Sequence, residues 1–324
     1  MRQIAHLALA ILLTGCSVHG TTAPLISSNR IPSQFAGTNG FNSLTLTARS
    51  VVNKGWISKE VTPGAKLLYV SSYPACGGCV LIFKQRTGAL VGLLSGGPLV
   101  QTGGIATDSA GNLYVTNDNP GQNAVWIYPQ GSLFPSNSLY DPEVPSNVIV
   151  RDDGKVYVSN GGPTASVMVY ASGSMDPTSE LLDASAIQGF GIALDNTGNV
   201  YWGISTASGY QIDKFARGSR KPVNLGIALT DVPQSIAFDQ ENRLVVAQPN
   251  VPTIEIFKLP NTLIAQFGQT GAPFGIGFKS SDSVFVADRI ANQVEQYEYP
   301  GGNLIKSFAA PNLNPVGVAV FPHK

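Results

Sequence analysis

Three observations in the 324-residue sequence predict an all-β fold, a six-bladed β-propeller: a recurring apolar strand, turn formers at fixed places between its copies, and a spare strand at the C terminus. The strand recurs as GGIATD, SNVIVRD, GFGIALD, PQSIAFD, PFGIGF and PVGVAVF, centred on Ile105, Val148, Ile192, Ile236, Ile276 and Val318 with steps of 40 to 44 residues. Nine positions after the first five centres stand Tyr114, Tyr157, Tyr201, Val245 and Phe285. DSAGN, DDGK, DNTGN and DQENR lie between and supply Gly or Asn for positive φ, so each unit opens with a β-hairpin. A third strand ends on Phe83, Tyr128, Tyr170, Phe215, Phe257 or Tyr297, expected as core, and in most units a glycine turn then leads to a weaker fourth strand. One such four-stranded antiparallel sheet cannot bury both faces alone, so neighbours stack and residues 66–322 accommodate six blades. The first unit, KLLYVSS, begins at the second-strand position. PVGVAVF supplies the missing strand and closes the ring.

The composition fits this architecture. With 35 Gly and 22 Pro against 12% charged residues, a coiled coil or helical bundle is excluded. A hydrophobic fraction of 43% supplies a core. Twenty basic and twenty acidic residues cancel, leaving no broad positive field for a phosphate backbone, so nucleic acid is not an expected partner.

The N terminus reads as an address. Arg2 precedes an apolar run from Ile4 to Leu13, too short for a permanent span but fitting a signal-peptide core. The string LTGC that follows resembles the bacterial lipobox, which implies a signal peptide over 1–15 and lipidation of Cys16. An ordinary signal peptide with a chance cysteine is the alternative. Residues 16–54, rich in Ser, Thr, Asn and Gly, read as a tether, and 55–324 as the propeller; Trp56 and Ile57 are expected to pack against it. The implied location is extracytoplasmic, in the bacterial cell envelope, lipid-anchored in the bilayer through acyl chains. Ser17 after the cysteine implies the outer membrane in a Gram-negative cell.

Over residues 66–322 the repeats resemble those of the NHL-repeat and SMP-30/gluconolactonase-like propellers, whose blades carry a comparable GIAxDxxGNLYV pattern. The resemblance implies the fold; such propellers serve as lyases, lactonases, scaffolds and binding modules. The SMP-30 relatives hold a divalent cation at the channel mouth, and the virginiamycin-inactivating lyases rely on histidine. Here the histidines are His6, His19 and His323, none within the repeats.

The carboxylates divide into two sets. Asp108, Asp195 and Asp239 end first strands just before a hairpin turn, where an aspartate caps its own turn. The opposite rim carries Gln101, Asn117, Asp118, Asn147, Asn160, Gln188, Gln234, Gln248, Asp288 and Asn314, mostly amides. Asn117, Asp118, Asn147, Asn160, Gln188, Gln234 and Asp288 are the candidate ligand-binding residues, and Asp118 and Asp288 the candidate metal ligands. Tyr73, Phe190, Tyr210 and Phe274 are either stacking surfaces for a ligand or packing between blades. Cys76 and Cys79, in CGGC, are expected to form a local disulfide.

These features point to a tethered, monomeric module that binds a polar small molecule, a glycan or a protein at its channel mouth without catalysis. No cofactor is expected, with room for a weak Ca²⁺ site. The competing reading is a divalent-cation-dependent, SMP-30-like hydrolase or lactonase.

Overall fold

The computed structural model describes residues 55–119, 121–268 and 270–322, which contain strands, turns and loops and no helix. The signal peptide, Cys16, the tether and His323 lie outside the described residues.

Six antiparallel sheets form the blades of the propeller. Blade 1 holds β2 (Leu67–Ser72), β3 (Cys79–Lys84) and β4 (Leu90–Ser95), with β1 (Trp56–Ile57) paired to the outer edge of β4. Blade 2 is β5 (Thr102–Thr107), β6 (Leu113–Asn117), β7 (Ala124–Tyr128) and β8 (Asn137–Tyr140). Blade 3 is β9 (Pro145–Val150), β10 (Val156–Asn160), β11 (Ser166–Tyr170) and β12 (Ser179–Leu181). Blade 4 is β13 (Gln188–Leu194), β14 (Val200–Thr206), β15 (Gly209–Phe215) and β16 (Pro222–Asn224). Blade 5 is β17 (Ser235–Phe238), β18 (Leu244–Ala247), β19 (Ile254–Lys258) and β20 (Thr262–Phe267). Blade 6 is β21 (Pro273–Ser280), β22 (Ser283–Asp288), β23 (Gln293–Glu298) and β24 (Leu304–Ala309). The last strand, β25 (Pro315–Phe321), pairs with β2 and becomes the inner strand of blade 1, so the ring closes as the sequence predicts.

One register runs around the ring. The repeat centres Ile105, Val148, Ile192, Ile236 and Ile276 face Val115, Val158, Trp202, Val246 and Val286, and Val318 faces Val70. A one-residue slip would turn each strand's apolar set to the wrong side, so the constant hairpin length and the burial pattern enforce each other. The core is divided into wedges between blades: Val167 and Val169 of blade 3, for example, pack with Trp202 and Phe215 of blade 4. All six third-strand aromatics are buried.

The inner strands approach so closely that some positions admit only glycine. Gly191 N donates to Pro233 O at 3.0 Å, and a Cβ on Gly191 would stand 2.7 Å from Ile236 N. At Gly275 the added atom would lie 3.0 Å from both Val316 O and Val318 N.

Side chains reinforce the closure. Gln85, buried, donates its Nε2 to Leu67 O at 2.9 Å and to Phe321 O at 2.8 Å, spanning both strands of the seam. Ser71 Oγ accepts from Gly317 N at 2.8 Å and donates to Gly103 O at 2.6 Å. Thr107 Oγ1 donates to Val320 O at 2.9 Å. Replacing Gln85 by Leu removes two buried hydrogen bonds and is expected to cost about 1–3 kcal/mol, read as a lower urea midpoint at unchanged slope. An unchanged midpoint would show that Gln85 adds nothing to the seam.

Candidate functional site

The inner strands β5, β9, β13, β17, β21 and β25 enclose a central cavity of about 280 Å³. Its wall is dominated by residues such as Ile105, Ile149, Leu194, Ile236, Phe278 and Val318, because apolar residues recur at the same place in every blade. No lining residue is ionisable; the polar ones are Thr107, Ser146, Asn147, Gln234 and Ser235. Most of these are committed to the framework. Thr107 bonds to Val320, Ser146 Oγ donates to Ser159 O at 2.9 Å, and Ser235 Oγ accepts from Ile276 N at 3.2 Å. Asn147 Oδ1 accepts from Val148 N at 2.9 Å. The Gln234 side-chain amide makes no hydrogen bond to another described residue, so it and Asn147 Nδ2 are the wall's available polar groups.

Of the seven rim candidates, the structure brings Asn147 and Gln234 together in the cavity wall. Others serve the loops. Asn117, fully buried at the end of β6, accepts through Oδ1 from Val100 N at 2.7 Å and Gln101 N at 3.1 Å. Asp288, buried at the end of β22, accepts from Gly271 N at 2.6 Å, Ala272 N at 3.2 Å and Ala291 N at 3.0 Å. Gln248 Oε1 takes Thr230 N and Asp231 N, and Ser72 Oγ takes Asn314 N. In four blades, then, the polar side chain ending the second strand binds the loop that leads into the first. Asn160 is buried and donates Nδ2 to Ser166 Oγ at 3.4 Å, while Gln188 is exposed at the start of β13.

The two candidate metal ligands sit on different blades. Asp118, half-buried after β6, is pushed up from the ordinary carboxylate range by burial, and the Asp288 carboxylate is occupied by backbone N–H groups. Among the described residues no three His, Cys, Asp or Glu side chains group closely enough to hold a metal ion. These residues do not fit a divalent-cation centre, which needs several converging oxygen ligands.

The hairpin aspartates cap their turns as expected. Asp108 Oδ1 accepts from Ala110 N and Asn112 N, Asp195 Oδ1 from Thr197 N and Asn199 N, and Asp239 from Arg243 N and Tyr299 Oη. Burial acts to raise the Asp195 carboxyl, but the bonds from Asn199 and Thr197 outweigh it and hold the group below its usual range. Cys76, in the loop between β2 and β3, is joined by a disulfide to Cys79, the first residue of β3, with Cα atoms 5.9 Å apart. Of the four candidate aromatics, Phe274 lines the cavity; Tyr73, Phe190 and Tyr210 are half-buried outside the lining.

Two features escaped sequence reasoning. Arg289 lies over the ring of Phe274, its guanidinium carbon 4.7 Å from the centroid. Asp213, on β15, is fully buried beside Asp183 from the loop between β12 and β13; burial first, then Asp183, push its carboxyl up to about 7. Gln211 Nε2 donates to Asp213 Oδ1 at 2.9 Å, while Oδ2 receives no donor. Burial works against ionising Asp183 too, but bonds from Ser185 N and Oγ hold it low.

No protein-family model and no curated protein matches the chain. Solved structures do. A nidogen/laminin complex matches at 14% identity and a TM-score of 0.64, covering 79% of this chain and 97% of the matched one. A protein of unknown function from Bacteroides caccae matches at 13% identity and a TM-score of 0.65, covering 81% and 100%. A streptogramin B lyase matches at 15% identity and a TM-score of 0.52, covering 67% and 72%. Likenesses this distant establish the shared propeller fold.

The Asp213 environment has a measurable consequence. A carboxyl held near 7 in the folded protein and near 4 in the unfolded chain keeps a proton on folding, so stability declines as pH rises from about 4 to about 7 and then levels off. Asp213→Asn is expected to remove that decline, amounting to about 2–4 kcal/mol, in urea unfolding across this range. A slope identical in wild type and variant would show that Asp213 is ionised when folded.

Proposed function

We propose that this protein is a membrane-tethered, extracytoplasmic, non-enzymatic binding module whose ligand is a small, largely apolar molecule taken into the propeller channel. One observation carries the reading: a central channel cavity of about 280 Å³ whose wall has no ionisable side chain and a few polar groups. Ligand sites have this character, apolar walls with a small number of placed hydrogen-bonding groups, and the size suits a compact ligand. General acid–base or nucleophilic chemistry wants a titratable group at the reacting atom, and this wall offers none. The Gln234 and Asn147 amides would orient a bound molecule, and the rim amides favour a rigid mouth over direct recognition of a glycan. The tether is proposed from the LTGC string and the polar segment after it, with Cys16 as the lipidated residue in the cell envelope.

Octanamide serves as the probe, a neutral amphiphile of suitable size. Calorimetric titration is expected to show one site per chain, with the amide recovered unchanged. Ala106→Phe, which enlarges a half-buried wall residue, is expected to weaken binding at least about tenfold by filling the cavity. Ester or lactone turnover dependent on a divalent cation, or binding indifferent to Ala106→Phe, would contradict this reading.

Expressed in a bacterial host with a clickable fatty acid, the full chain is expected to incorporate label and sediment with membranes. Cys16→Ser should lose both properties. Equal labelling of the two would refute lipidation at Cys16.

A further inference from the structure

Stacked on an aromatic residue of the cavity wall is a cation in a fixed pose. Arg289 follows Asp288 at the end of β22, and its backbone N donates to Ala272 O at 3.0 Å. Its guanidinium rests on Phe274, a residue of the cavity wall, with the guanidinium carbon 4.7 Å from the ring centroid. Its Nε donates to Asn314 Oδ1 at 2.9 Å, a contact from the loop that leads into β25. A ring face and an amide oxygen thus set the plane of the group, leaving the two terminal nitrogens. The ion pairs among the described residues engage Lys84, Arg151 and Arg243 rather than Arg289. The neighbouring Asp288 does not pair with it, because that carboxylate is held by Gly271 N, Ala272 N and Ala291 N.

We propose that Arg289 is the anchor for an anionic ligand head group, and that the channel takes a small amphiphile bearing one carboxylate, its apolar body against the wall and its carboxylate on the guanidinium. This rests on the channel being the ligand site. A guanidinium edge matches a carboxylate with two parallel N–H donors, and a charge-assisted pair of this kind is stronger than a neutral one. One cation beside a wall without ionisable groups suits a single negative charge. Partial burial of Arg289 on an aromatic ring weakens screening by water and sharpens the preference for a charged partner.

Octanoate and octanamide differ in the head group alone and test this in the full chain. In calorimetric titrations at low salt the wild type is expected to bind octanoate about tenfold or more tighter than octanamide. Arg289→Gln should erase that preference, weakening octanoate far more than octanamide, while the melting temperature stays near wild type. Arg289→Lys, which keeps the charge and loses the fork, should retain part of it. In the wild type the preference should also vanish as pH falls below the ordinary carboxylate range near 4, where octanoate becomes neutral. Equal wild-type affinity for the two probes, or a preference that survives Arg289→Gln, overturns the role of Arg289 and leaves octanamide binding to speak for the channel. Binding of neither probe overturns the channel site itself, and this inference with it.

Discussion

The pairing of β25 with β2 is the constraint on which the rest of the molecule depends. It joins residues some 250 positions apart, Val318 opposite Val70 and Phe321 opposite Leu67. Loop-closure entropy grows only slowly with length, so a contact this distant in sequence costs little more than one half as distant. In return, two sheet edges disappear and each blade gains a neighbour on both faces. The apolar wedges need that arrangement: Leu68, Val318 and Val320 of blade 1 pack with Phe285 and Phe308 of blade 6. An open array would expose that wedge.

Closure also determines what the site can be. Six inner strands crowd towards one axis; at Gly191 the approach leaves no space for a side chain, and at Gly275 it is tight. Most residues that do have side chains there pack well against a pleated sheet, hence a wall of mostly apolar side chains without charge. At the strand ends the backbone turns sharply and its N–H groups lose their ladder partners. Asn117, Gln248, Asp288 and Ser72 satisfy them, because a buried donor left unpaired is costly. The chemistry available to a ligand is therefore what the framework does not use: Gln234, the Asn147 amide nitrogen and, on the reading proposed above, the terminal nitrogens of Arg289. Pocket polarity in this protein is a remainder after backbone satisfaction.

Much of the fold was legible in the sequence, because its signals are local and periodic. The nine-residue offset from Ile105 to Tyr114 fixes a hairpin, and its recurrence at Val148, Ile192, Ile236 and Ile276 fixes one register for five blades. The Asp108, Asp195 and Asp239 caps act within four residues and were equally legible. The rim reads as amide-rich from the letters alone, and the sequence does not say which amides a neighbouring loop consumes. Asn117 and Gln234 look alike as letters; one is clamped on the Val100–Gln101 backbone and the other lines the cavity. The Asp183–Asp213 pair and the Arg289–Phe274 stack each depend on how separate segments meet in space, and no spacing rule encodes either.

Native-state hydrogen exchange, followed by mass spectrometry on the peptide spanning residues 315–321, tests the seam most directly. If the ring is closed in solution and opens only on global unfolding, this peptide will exchange as slowly as those from β10 and β14, and all three will respond alike to added urea. Fast exchange of residues 315–321 while β10 and β14 stay protected would show that the seam opens independently, and the closed-channel account would fail.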